Sequence, residues 1–414
     1  MTVNGATRPV SLLAAAQILI ANGRYADARK VLDKLAGDTP NDPEVQFLLG
    51  LLDIQDKAYD SAVHHFRSIL VKHPRELRVR LELARALFLE GNYLNAERQF
   101  RFARSGKIPA NTVELIDRYL AVIRQQKFFT YDLAVGVAPD TNINVAPAIR
   151  TVTLYGIPFE LSDQARQHSG VGLITDIKLV LAPRLSRRSK LLIGAEIYRA
   201  QYGDTAFDDM TVTGYIGPKL TYRRWEFDIL GTLSRRWYGD RVYVTTPGGA
   251  LDATHYFSAR AGLTGTLSVG QTNFAQNSWQ TGPNVTGGLQ AFFTLTPASE
   301  IRGFISMGHQ DAKLGAYAYN QFVLGTVYTR ELSHGITASV MPSYSVISYE
   351  APLAAFNAKR LDRAISAQIS LLDRGINISG FTPKISYSHT INISNIPVYG
   401  YHRDRIAIYL TKNF

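Results

Sequence analysis

The chain contains no cysteine, which excludes a disulfide framework, a thiol nucleophile and a thiolate metal site. It also lacks any run of the roughly 18 consecutive apolar residues that a membrane helix needs. If this protein meets a bilayer it does so as a closed barrel, the only other structure that satisfies every backbone group in lipid. Nor does a basic segment with interleaved aromatics stand out, so the formal charge of +11 does not point to nucleic acid. The densest cationic group, Arg184, Arg187, Arg188 and Lys190, fits a short turn. What the 414 residues do have is 32 Gly, 22 Tyr and 19 Phe. An ordinary apolar fraction and this length allow two or three folded domains.

The first domain repeats with a fixed period. Tyr25, Tyr59 and Tyr93 are spaced by 34 residues, as are Ala28, Ala62 and Ala96, then Leu32, Phe66 and Phe100, and Pro40 with Pro74. That is the tetratricopeptide period: a small Ala lets two helices approach, larger side chains fill the seam, and Pro ends the second helix. Gly23 and Gly91 occupy the turn inside the pair, with Lys57 as the exception. A further amphipathic helix, Thr112 to Gln126, is expected to cap the last repeat. Ser11 to Ala21 resembles a signal-peptide apolar region, but it sits in register with the repeat, so the chain reads as a mature or truncated form. By the usual geometry of such repeats, the concave face offers Glu44, Phe47, Leu51, Gln55, Arg78, Leu81, Arg85 and Phe88. The competing reading of the apolar members is packing between helices.

From Phe128 the hydrophobic period changes from 3.6 to 2. Leu173, Thr175, Ile177, Leu179 and Leu181 share one face while Asp176 and Lys178 share the other. The same alternation returns in Phe322, Leu324, Thr326 and Tyr328, and in Ile406, Ile408, Leu410 and Phe414 against Arg403 and Arg405. An apolar face opposite a charge-tolerant one is what a lipid-facing wall around a water-filled lumen requires. The segments are also longer than the 5 to 6 residues, about, of soluble strands.

Fourteen strands are expected, at 128–138, 169–182, 189–201, 210–223, 225–238, 253–266, 271–280, 284–296, 300–310, 318–331, 335–349, 360–372, 379–391 and 402–414. Long connections, Pro139 to His168, Gly239 to Asp252, Glu350 to Lys359 and Asn392 to Tyr401, then alternate with tight ones at Arg224, Pro297 to Ser299, Leu332 to His334 and Asp373 to Asn377. Outer-membrane barrels have long external loops, short periplasmic turns and an even strand count. Both ends of the barrel therefore face the periplasm, and so do the repeats. The weakest strand, 271–280, is kept because deleting it would exchange the two loop classes downstream. Tyr198, Tyr202, Trp225, Trp237, Tyr238, Phe257, Trp279, Tyr328, Tyr344, Tyr349, Tyr387 and Tyr409 are expected to form interfacial girdles.

The fold class read from this pattern is α plus membrane β: a short helical solenoid over residues 1–126 and an antiparallel transmembrane barrel over 127–414. Candidate catalytic groups have plainer readings. His64 and His65 have no carboxylate at i+4 spacing and read as a solvated helix face. Glu226 with Asp228, and Asp208 with Asp209, read as polar barrel wall. Ser169 beside His168 lies in a long loop, where adjacency says nothing about geometry. No cofactor and no metal are expected.

This architecture resembles the surface lipoprotein assembly modulators, the TPR-containing outer-membrane family of type XI secretion. Ala138, Pro139, Asp140, Thr141, Asn142, Ile143 and Asn144, closing the first strand, are similar to that family's hallmark, and Arg236, Trp237, Tyr238 and Gly239 resemble a second element. The terminal Phe414 resembles the signal read by barrel-assembly machinery, from which Lys412 departs. The resemblance implies translocation of a lipoprotein or soluble secreted protein, often one that captures haem or transferrin, to the cell surface. Its implied partners are that client, outer-membrane lipid, the assembly machinery and periplasmic chaperones, with no nucleic acid. A structural role for Asp140 to Asn144, fixing the first loop through Asx-type hydrogen bonds, competes with client contact. Polysaccharide export and a passive porin are the alternative functions.

Overall fold

The computed structural model describes residues 12–126, 128–376 and 378–413. Phe414 lies outside the described residues. Seven helices come first: α1 (Leu12–Ala21), α2 (Tyr25–Asp38), α3 (Pro43–Gln55), α4 (Tyr59–Lys72), α5 (Leu77–Glu90), α6 (Tyr93–Arg104) and α7 (Ala110–Gln126). Each Tyr of the 34-residue period is the first residue of a second helix. Ala28, Ala62 and Ala96 are fully buried, and Leu32, Phe66 and Phe100 fill the seams beside them. Removing a buried ring of this kind costs about 3–5 kcal/mol.

Asp42 begins α3 by accepting hydrogen bonds from the amides of Glu44 (2.9 Å) and Val45 (3.1 Å), with Pro43 in the first turn. The turns inside the pairs need left-handed backbone, which Gly supplies without a Cβ clash. Gly23 and Gly91 have φ of 72° and 90°, and Lys57 adopts 62° at the equivalent place. α1 belongs to the first repeat: its Ala16 is buried in the helical core and Leu13, Leu19 and Ile20 pack against it. α7 closes the stack with Ile116, Leu120 and Ile123 buried and Tyr119 stacked on Phe100 at 4.7 Å.

The strands are β1 (Phe129–Asp140), β2 (Thr151–Leu154), β3 (Ile157–Glu160), β4 (Gly170–Leu181), β5 (Ser189–Gln201), β6 (Asp209–Tyr222), β7 (Trp225–Tyr238), β8 (Arg241–Ser258), β9 (Ala261–Phe274), β10 (Gly282–Thr296), β11 (Ser299–Gln310), β12 (Tyr319–Glu331), β13 (Ile336–Leu353), β14 (Ala358–Asp373), β15 (Thr382–Ser394) and β16 (Tyr401–Asn413). All but the β2–β3 hairpin form one closed antiparallel barrel of fourteen strands, in which β16 pairs with β1 with Ile408 opposite Val137. Closure removes the sheet edges that lipid does not tolerate. The outer wall is a belt of exposed apolar side chains, among them Val171, Ile229, Leu233, Leu289, Ile365 and Ile408. Their alternate neighbours point into the lumen.

Three expectations are corrected. Gly239 to Asp252 is not a loop: Gly239 and Asp240, both at positive φ, make a two-residue turn, and β8 runs straight back from it. The expected strand 253–266 therefore straddles the turn at Ala259 and Arg260, and 271–280 is the end of β9 followed by a 3-10 turn at Ser278–Gln280. The reading failed because Pro247, Gly248 and Gly249 look like loop residues. In the sheet, Pro247 stands opposite Leu233, and the ladder to β9 is interrupted between Thr245 and Gly248, so its missing N–H breaks nothing. The two errors offset one another, and strand number and parity survive. Similarly, Glu350 to Lys359 is mostly strand, leaving only 354–357 as the connection. Finally, Tyr198, Tyr202 and Tyr238 line a cavity at the extracellular mouth instead of an outer girdle, because their strand parity turns them inward. Trp225, Phe257, Tyr328, Tyr344 and Tyr387 do face outward, exposed.

Candidate functional site

The helical face expected to receive a partner divides by burial. Phe47 is buried against Phe66, ring centroids 5.7 Å apart, with the Arg78 guanidinium 4.3 Å from its ring. Phe88 packs on Tyr93 and Tyr119 at 5.6 and 5.0 Å, and Leu51 and Leu81 pack against the helical core. These four hold the repeats together. Gln55, Arg78 and Arg85 are exposed and Glu44 is half-buried, accepting a bond from Gln17 at 3.3 Å. His65 is no solvated residue: its ring bonds Gln46 at 2.5 Å and lies 3.3 Å from Asp53. Burial pushes its pKa below the usual value, with Asp53 opposing.

The repeats dock on the periplasmic end of the barrel through residues that periodicity did not single out. In the second unit Gln46 donates to the Pro40 carbonyl (2.8 Å) and meets His65. One period later, Arg80 donates to the Pro74 carbonyl and to Gln99, both at 2.5 Å. Being longer and charged, the fully buried Arg80 also reaches Glu331 at the end of β12, 2.7 Å away. Arg374, from the β14–β15 turn, donates to the other oxygen of Glu331, and Arg98 of α6 lies 3.9 Å from it. Burial and Arg374 push the Arg98 guanidinium below its ordinary pKa, yet 36% of its side chain is exposed, so it stays charged at neutral pH.

Around this buried ion cluster, Arg101 of α6 lies over the rings of Tyr256 and Phe292 at 4.9 and 5.0 Å. Asn95 donates to Asn413 at 3.2 Å, and Ala259 packs on the helical core. The signal available in sequence was Arg80 itself, a cation where the preceding unit has a half-buried Gln.

At the opposite end, the motif after β1 clasps the longest loop. Asp140, buried, accepts a two-pronged bond from Arg403 (2.9 and 2.5 Å) and one from the Asn142 amide (2.9 Å). Asn142, fully buried, donates to the carbonyls of Ala146 and His402 and accepts from the Ala146 amide. Asn144 ties back to the Arg166 carbonyl (2.6 Å) and the His168 amide (3.0 Å). Pro139, which has no amide to donate, sits near the end of β1 opposite Val171. The β2–β3 hairpin of this loop reaches the β13–β14 connection, where the Tyr155 amide donates to Ala355 at 2.8 Å.

The second motif serves the same end of the barrel. Arg236 grips Asp209 with two bonds of 2.8 and 2.7 Å, while Trp237 takes the opposite face of β7. Gly239 is required where it stands, since a Cβ would come within 2.9 Å of the Ala206 carbonyl. Beneath the clasp is a cavity of about 480 Å³ lined by Tyr198, Tyr202, Tyr238, Asp209, Arg236, Arg403 and Arg405. Deeper in the lumen, Lys219 is held by Glu226 (2.9 Å) and Asp228 (3.2 Å), and Lys178 bonds Glu196. Of the carboxylates considered for acid–base work, Glu226, Asp228 and Asp209 are engaged with cations of the barrel wall, and the buried Asp208 accepts from the Tyr202 backbone amide at 2.7 Å.

An apolar outer belt, a charged lumen and a repeat solenoid fixed to one rim define an outer-membrane β-barrel with a periplasmic TPR domain. Comparison with known proteins gives the particular family: the profile for surface lipoprotein assembly modifiers matches residues 130–414, and tetratricopeptide profiles match 6–52 and 55–103. The chain belongs to the surface lipoprotein assembly modifier family. It is 22% identical to surface lipoprotein assembly modifier 1 of Haemophilus influenzae over 88% of this chain and 76% of that one. It is also 22% identical to the surface lipoprotein assembly modifier of Pasteurella multocida, over 99% and 84%. The hemophilin secretion modulator of Acinetobacter baumannii is 19% identical over 85% and 75%.

Proposed function

We propose that this protein moves one protein client, a lipoprotein or a soluble secreted protein, from the periplasm through the outer membrane to the cell surface. The observation that carries the reading is the buried Arg80–Glu331–Arg374 cluster, which fixes the repeat solenoid to the periplasmic rim of the barrel. A porin has no use for a rim-fixed solenoid, whereas a translocator needs a receiving surface at its entrance. The names of the relatives, which refer to lipoprotein assembly and hemophilin secretion, support a protein cargo. Glu44, Gln55, Arg78 and Arg85 are the residues we assign to the receiving face, and the Asp140 to Asn144 clasp holds the first loop across the exit until the client displaces it. The client's own folding outside supplies the drive.

The test is display. Cells expressing this protein with the secreted product of an adjacent gene should expose that product to external protease, and deleting residues 2–126 should abolish exposure while the barrel still assembles. Equal exposure without the repeats would sink the receiving role. Exposure independent of this protein altogether would sink the translocator reading.

A further inference from the structure

The periplasmic turns β4–β5 (182–188) and β6–β7 (Arg223 and Arg224) stand side by side beneath α7. Between them is a cavity of about 350 Å³ lined by Arg184, Arg187, Arg188, Lys190 and Arg223, with Ala121 of α7 on its wall. On the inner wall of the barrel Lys178, Lys219, Arg236 and Arg403 are each paired with a carboxylate. Among the described residues no carboxylate lies within ion-pair distance of Arg184, Arg187, Arg188 or Arg223, and all four are exposed. Like charges gathered without a counter-charge cost free energy unless an anion joins them.

The surroundings say which anion. The lipid-facing belt ends beside the cavity, where Leu185 and Tyr222 are 62% and 50% exposed. The guanidinium groups of Arg188 and Arg223 lie 5.6 and 5.4 Å from the Tyr222 ring, so they sit at the level where headgroups meet acyl chains. We propose that this cavity binds the phosphate headgroup of an anionic phospholipid of the periplasmic leaflet, with the acyl chains along Leu185, Leu220 and Tyr222. A free phosphate would use the cations but gain nothing from the apolar wall. Because Ala121 lines the same cavity, the bound headgroup also steadies α7, the helix that leads into β1.

The full chain, purified in neutral detergent, is titrated with phosphatidylglycerol or phosphatidylcholine and examined by native mass spectrometry. Phosphatidylglycerol should be retained preferentially. Each cation near an anionic lipid is worth roughly fivefold in affinity, so the combined substitution Arg187→Ser, Arg188→Ser, Arg223→Ser is expected to weaken retention on the order of 100-fold. A variant with the same charge loss on the solenoid, Lys30→Ser, Lys34→Ser, Arg75→Ser, should retain lipid like the parent. Heat-modifiable mobility on gels verifies that each barrel is folded. Equal retention by the turn variant, equal loss in the solenoid variant, or full displacement of the lipid by millimolar inorganic phosphate would each overturn the assignment.

Discussion

Replacing Glu331 by Gln keeps the shape of the junction and removes the carboxylate that Arg80, Arg374 and Arg98 share. Arg80 is fully buried and loses its counter-charge, keeping only the neutral acceptors Pro74 O and Gln99 Oε1. Deleting one partner of a buried pair costs about 3–5 kcal/mol. Arg80 can regain water only if the solenoid lifts from the rim, so most of the cost falls on docking, which should weaken by a factor on the order of 10²–10³. Removing Arg374 instead should cost far less, because Glu331 retains Arg80 and the excess of positive charge falls. The cysteine-free chain offers a clean assay. Thiols introduced at Asn95 and Asn413, whose side chains meet, cross-link rapidly on mild oxidation when the solenoid is seated. Glu331→Gln should slow this cross-linking strongly and Arg374→Gln only slightly. Equal rates for Glu331→Gln and the parent, or a larger defect in Arg374→Gln, would refute the argument that one carboxylate holds the two domains together.

Burial, and then the neighbouring Asp60, raise the Glu90 carboxyl from 4.5 to about 7. Its protonated form is the one favoured by folding, so its contribution is fully present below about pH 4.5 and lost as pH rises through about 7. Glu90→Gln should therefore raise the melting temperature of the solenoid above pH 7 and flatten its dependence on pH, as followed by circular dichroism at the helical band. Lys57 holds a left-handed backbone that costs a non-Gly residue about 1 kcal/mol, so Lys57→Gly should stabilise the repeats by roughly that amount in denaturant titrations. Asn142→Ala removes three side-chain bonds at a fully buried position, at a cost of about 2–4 kcal/mol. The expected outcome is an unclasped first loop, cut by external protease in intact cells, with the barrel still heat-modifiable.

The repeat was legible because burial repeats with it: the same three columns of Tyr, Ala and Leu or Phe set helix starts, close approaches and seams in each unit. The barrel was legible because lipid and lumen impose opposite demands on alternate residues, as at Leu173 to Leu181. What failed was local. Pro247–Gly248–Gly249 carries a turn signature, and only the ladder gap beside Pro247 shows how a central strand accommodates it. Inward and outward aromatics look alike in sequence until strand parity is fixed, so Tyr198, Tyr202 and Tyr238 read as girdle residues although they line the cavity at the mouth. The docking residues were hidden for another reason. Arg80 and Glu331 are 251 residues apart, and no local period links a helix interior to a strand end.

The excess of positive charge acquires a meaning from its placement. Spread evenly it would only favour solubility and non-specific anion binding. Here three guanidinium groups converge on Glu331 at the junction, and Arg184, Arg187, Arg188 and Arg223, with no carboxylate in ion-pair distance among the described residues, collect at the turns under α7. In the lumen, by contrast, Lys178 and Lys219 are neutralised by Glu196, Glu226 and Asp228. A cation that is already paired does not trap a passing acidic segment, because the new ion pair must first break the existing one. The placement thus separates two roles that our proposals assign: arginines without carboxylates at the rim are available to lipid headgroups, and Lys178 and Lys219, paired in the lumen, are not available to hold a client.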